Sequence, residues 1–175
     1  MRFIFQVFAA MALMTGASAQ ENLLHHGILV SSVFGDNLRG SQFKDDVTPG
    51  QVVKDVIIRA GKRVDGVGIT VASPSKEPVT FYNGGSGGDP YTLTLEPGEH
   101  ITTIETHWGK MKGFDRVTYI KLFTNKNNTI SAGKPTKKIG TDTAPQGFQL
   151  GGFLGSCGDE LDSVGPIWTT IKPVE

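Results

Sequence analysis

The sequence has one cysteine, Cys157, so no internal disulfide can brace it and a packed core must hold the fold alone. It has no excess of charge: 17 lysines and arginines stand against 17 aspartates and glutamates. No face-wide basic run suits nucleic acid or an anionic membrane, and both are set aside as partners. Beyond the first residues no apolar run reaches the length of a membrane-spanning helix. The motifs of several chemistries are missing too. There is no Gly-x-Ser-x-Gly elbow, no cysteine-protease signature around Cys157 and no Asp-x-Asp-x-Asp-Gly rhythm for calcium. The glycine run Gly84 to Gly88 lacks the Lys-Ser/Thr of a phosphate loop and reads as a flexible hairpin loop. His25 and His26 are neighbours in an irregular arm, and His100 and His107 lie an odd number of positions apart on one expected strand, on opposite faces. No metal site and no cofactor are expected.

Met1-Arg2, the apolar run Phe3 to Met14 and Ala17-Ser18-Ala19 have the order of a secretory leader. The expected organisation is a leader over 1–19, an arm or edge strand over 20–33, one domain over 34–171 and a short tail over 172–175. The domain should be secreted and extracellular, with no transmembrane insertion. Its apolar residues alternate with period two, best at Val52, Val56, Ile58, at Val67, Ile69, Val71 and at Leu93, Leu95. Turn signals punctuate the chain at Thr48-Pro49-Gly50, Ala60-Gly61-Lys62, Ser73-Pro74-Ser75, Glu96-Pro97-Gly98 and Asn125 to Asn128. Roughly ten to twelve short strands in one domain imply an all-β sandwich, barrel or prism. Asn127-Asn128-Thr129 is a glycosylation sequon on one of these turns.

The stretch GSCGDELD, residues 155 to 162, crowds three carboxylates into four positions between two apolar runs. Acids are poor strand residues and like charges this close repel, so folding alone does not account for them. Paired carboxylates for glycoside hydrolysis belong on separate strands flanking a cleft, which argues against catalysis. A small, water-exposed binding site fits better. Glycines turn successive N–H groups toward one point, and a nearby carboxylate accepts from the paired hydroxyls of a sugar.

Five stretches in order, FGDNLRGSQFKDD, VVKDVIIRAGKRVDGVGITV, YTLTLEPGEHITTIETHWG, YIKLFTNK and GFLGSCGDELDSVG, resemble the jacalin-related lectins. The resemblance runs from about Phe34 to Trp168. It implies a β-prism of three four-stranded Greek-key sheets with pseudo-threefold symmetry and a non-catalytic carbohydrate site built from loops at one end. The family's Gly-x-x-x-Asp loop falls on Gly158 to Asp162. Asp162 is then the acceptor of two sugar hydroxyls, while Asp159 and Glu160 offer backbone N–H groups. Gly40 is the first-loop glycine beside the sugar, and His107 and Trp108 flank its ring. Asp162 is expected to serve the ligand rather than the fold, so its loss should spare stability. Glu160 stands where many members carry a stacking aromatic, which favours mannose- or glucose-type glycans over galactose. Partners are glycans or glycoproteins, and weak single sites call for a homo-oligomer. The alternative is a protein-interaction or adhesion module that keeps the scaffold without sugar affinity.

Overall fold

The computed structural model describes residues 27–73 and 76–174. The expected leader and the histidine pair at 25–26 lie outside them. Among the described residues all regular structure is β, in thirteen strands: β1 (Ile28–Val30), β2 (Phe34–Gly35), β3 (Ser41–Lys44), β4 (Val52–Ala60), β5 (Val64–Ser73), β6 (Lys76–Gly84), β7 (Asp89–Thr94), β8 (Ile101–Met111), β9 (Phe114–Thr124), β10 (Thr129–Gly133), β11 (Lys138–Thr143), β12 (Phe148–Cys157) and β13 (Leu161–Thr170). Among the described residues no helix is long and apolar enough to cross a membrane.

The strands form three antiparallel sheets with one plan. Two are ordered β6-β5-β4-β7 and β10-β9-β8-β11, and the third runs β1-β13-β12-β3. In the third sheet, β1 pairs with Ile167–Thr169 and β2 with Ser163–Val164, so two short segments share the same edge of β13. Each sheet is therefore four strands wide around a central hairpin, β4–β5, β8–β9 or β12–β13. This is the β-prism with pseudo-threefold symmetry. Gly84 closes β6 and Gly85–Gly88 form a loop but not a hairpin, because β6 pairs with β5 while β7 crosses to the far side of β4.

The inward faces meet in one core. Val56, Ile58, Val67 and Ile69 come from one sheet, Ile104, Ile120 and Leu122 from the next, and Leu150, Phe153, Leu161 and Trp168 from the third; all are fully buried. Strict alternation from Val52 fails for a local reason. The β4–β5 register slips between Val53 and Asp55, so the phase flips: Val53 is buried and Val52 is 49% exposed. β3 (SQFK) and β11 (KIGTDT) are polar edge strands with no apolar alternation, which hid them from a periodicity reading.

The Glu96-Pro97-Gly98-Glu99 turn is fastened to the β9–β10 turn by one carboxylate. Glu99 Oε1 accepts from Thr124 Oγ1 and Asn128 Nδ2, each at 2.7 Å, and Oε2 accepts the Glu96 N–H at 3.1 Å. These donors, Thr124 first, hold the Glu99 carboxyl below its usual pKa. A depressed carboxyl stabilises the fold above the unfolded-state pKa and loses that contribution as pH falls through the folded-state value. Thermal melts of wild type and Glu99→Gln between pH 6 and pH 3 should therefore differ most at pH 6 and converge on acidification; a constant gap would show that the carboxylate charge is not what matters.

Candidate carbohydrate site

The β12–β13 turn closes through the Gly158 N–H, which donates to Glu160 O at 3.0 Å. The ladder slips between Ser156 and Cys157, so Asp162 is an extra residue in its strand. Among the described residues the N–H groups of Asp159 and Glu160 find no acceptor in the protein. Gly40 packs directly on the turn with φ +69°. A methyl group there would stand 2.5 Å from Asp162 Oδ2 and 2.6 Å from Cys157 O, so both its conformation and its surroundings require glycine. The structure thus brings together Gly40, Gly158, Asp159, Glu160 and Asp162.

Of the other two expected residues, His107 is used elsewhere and Trp108 stays partly exposed. His107 is buried: Nε2–H donates to Glu105 Oε1 at 2.9 Å, Nδ1 accepts the Thr136 N–H at 3.0 Å, and the ring packs edge-on against Tyr119. With both nitrogens taken and the ring covered, His107 cannot flank a sugar. Trp108 stacks on Phe34, ring centroids 6.0 Å apart.

Side chains distant in sequence take their place. Arg116 Nε donates to Glu160 Oε2 at 3.1 Å, and its Nη1 donates to Asp162 Oδ1. Arg63 Nη2 binds Glu160 Oε1, and Arg39 lies over the Phe114 ring, 3.8 Å from its centroid. A depression of about 200 Å³ remains between Arg63, Met111, Lys112, Phe114, Arg116 and Glu160. A larger one, about 310 Å³, lies between Gln51–Lys54 and Leu95–His100, and no residue of the turn lines it. Nothing in the sequence marks Arg63 or Arg116 as neighbours of Glu160, because only the pairing of the three sheets puts them there.

Asp162 is 4% exposed. Burial pushes its carboxyl above the usual pKa, with Arg116 and then Arg39 pulling the other way. Oδ1 belongs to Arg116, whereas Oδ2 has no donor among the described residues and faces Gly40. The expectation that Asp162 has no structural role is therefore corrected: it is half of a buried ion pair.

The three-sheet β-prism with a glycine-closed turn at one end is an architecture of lectin domains. The jacalin-like lectin domain model matches residues 31–167. The chain belongs to that family, whose members bind carbohydrates without chemical change. It is 30% identical over 135 residues to secreted RxLR effector protein 19 of Plasmopara viticola, covering 74% of both chains. It is 33% identical over 82 residues to horcolin of Hordeum vulgare, covering 47% of this chain and 56% of that one. Among solved structures, Malaysian banana lectin superposes with a TM-score of 0.73 at 24% identity, over 82% of this chain and 99% of that one. AcmJRL, a mannose-binding jacalin-related lectin from Ananas comosus, gives 0.71 at 21%, with the same coverage.

Removing one member of a buried pair strands the other, at a cost of about 3 kcal/mol. Urea unfolding should show Arg116→Met destabilised by about that much, and Arg116→Met with Asp162→Asn markedly less so. A single variant within about 0.5 kcal/mol of wild type would mean that the pair is solvated and structurally idle.

Proposed function

We propose that the protein is an exported, non-catalytic lectin that recognises mannose- or glucose-type glycans through the Gly158–Asp162 loop. The observation that carries this reading is the pair of acceptor-free N–H groups at Asp159 and Glu160, set beside the unengaged Oδ2 of Asp162 and closed over by Gly40. A vicinal diol complements that arrangement, each hydroxyl accepting from an N–H and donating to the carboxylate. Glu160 contributes only its main chain, since its carboxylate is bound by Arg63 and Arg116. A few hydrogen bonds at a shallow surface give an affinity of around millimolar, so the lectin works as a homo-oligomer on multivalent glycans or glycoproteins. The leader over 1–19 carries it out of the cell, a reading supported by a relative named as a secreted effector.

A second reading, a protein-interaction module without sugar affinity, draws on one specific observation: Arg116 occupies the oxygen of Asp162 that a second sugar hydroxyl would need. A glycan array decides between the two. The lectin reading expects binding to mannose- or glucose-terminated glycans, unaffected by chelator and weakened at least about tenfold by Asp162→Asn, which keeps the side chain's shape and removes its charge. An array blank for folded wild-type protein would favour the interaction module.

A further inference from the structure

In the β9–β10 turn the polar side chains are spent on the fold, with one exception. Thr124 Oγ1 accepts the N–H groups of Lys126 and Asn128, each at 3.2 Å, while donating to Glu99 Oε1. Asn125 Oδ1 accepts the His100 N–H at 2.8 Å, and its Nδ2 donates to Gly98 O at 3.0 Å. Lys126 Nζ donates to Pro97 O at 3.0 Å, and Asn128 Nδ2 to Glu99 Oε1. Asn127 is the exception. Its backbone N–H donates to Thr124 O at 3.1 Å, but its side chain is exposed and has no hydrogen-bond partner among the described residues.

Asn127 has φ +64°. That left-handed conformation strains most residues, is tolerated by asparagine and is easiest for glycine. Backbone geometry therefore accounts for Asn127 only in part, since glycine would serve the turn as well and the amide contributes nothing to it. Two residues on, Thr129 opens β10, an outer strand of its sheet, and it too is exposed with its hydroxyl unpartnered among the described residues. Asn127-Asn128-Thr129 is the one Asn-x-Ser/Thr triplet in the sequence. The fold has left free the two side chains that such a triplet needs, and has tied down the residue between them.

The topology also sets where this turn lies. Phe114, which lines the depression beside Glu160, begins β9, and Thr124 ends it. Ten strand steps between them cover about 33 Å. The turn is thus at the end of the prism away from Gly158–Asp162.

We propose that Asn127 is the attachment site of an N-linked oligosaccharide. The donor is of the lipid-pyrophosphate-linked oligosaccharide class. A bond forms between Asn127 Nδ2 and C1 of the first sugar as the C1–O bond to the pyrophosphate breaks; the amide gives up one proton and the lipid pyrophosphate leaves. Thr129 supplies the hydroxyl by which the transferase selects the asparagine. The inference rests on the export reading, because such a donor is met on the secretory route. No hydrogen bond of the turn has to break to carry the glycan, and the candidate carbohydrate site stays open at the other end. The glycan also covers the start of an edge strand, which hinders edge-to-edge pairing of β10.

The test is the mass of the full chain expressed with its own leader in a eukaryotic secretory host, recovered from medium and cells and read before and after peptide-N-glycosidase in heavy-oxygen water. Protein in the medium should carry an enzyme-sensitive mass excess, and the heavy oxygen should appear in an aspartate at position 127. Thr129→Ser should keep the glycan. Thr129→Val, which preserves the β-branched strand residue, and Asn127→Gly, which preserves the left-handed turn, should lose it completely while still being secreted folded. Secreted wild type at the unmodified mass would overturn the proposal and spare the export reading. Unmodified protein retained in the cell with its leader uncleaved would overturn both, and an enzyme-sensitive glycan persisting on Asn127→Gly would overturn the assignment to this residue.

Discussion

A chain of charges joins the three sheets at one end of the prism. Arg116 on β9 binds both Asp162 and Glu160 of the β12–β13 segment, and Glu160 reaches on to Arg63 in the β4–β5 turn. These residues are separated by 44 to 97 positions in sequence, so the network forms only once the whole prism has closed. Its members are withdrawn from water to different degrees, with Asp162 the most buried. Attraction between such charges roughly offsets desolvation, so the network is better understood as setting geometry than as a large source of stability. It fixes where the turns sit and decides which carboxylate oxygens remain open to a ligand.

The fold was legible because it rests on local rules. Period-two alternation, closely spaced turn signals and the lack of disulfides pointed to an all-β domain with a self-sufficient core, and the ordered motifs identified the prism. What escaped was set by pairing rather than by residue type. The slip after Val53 reverses the face of Val52, and the polar edge strands β3 and β11 exist because a neighbour offers them a ladder. At the site, the turn itself was readable from its glycine and acid spacing. The place of His107 was not, since its burial depends on Thr136 and Tyr119, which lie far from it in sequence.

The proposed lectin reading asks for no deep cleft. In the proposed reading, recognition would fall on the backbone N–H groups of the β12–β13 turn, whose positions the hairpin fixes, and on the Asp162 carboxylate held at the strand bulge. Little has to be ordered on binding, which limits the entropic cost of an inherently weak contact. The β8–β9 hairpin carries Arg116 and Phe114 across to the β12–β13 turn, where they line the depression beside Glu160.

The central claim is that saccharides bind at the end of the prism where these turns meet. A crystal structure of the protein at saturating methyl α-mannopyranoside tests it most directly. The account predicts ring hydroxyls within hydrogen-bond distance of the Asp159 and Glu160 N–H groups and of Asp162 Oδ2. A pyranoside ordered only in the depression between Gln51–Lys54 and Leu95–His100, or a saturated crystal with the turns unliganded and open to solvent, would contradict it.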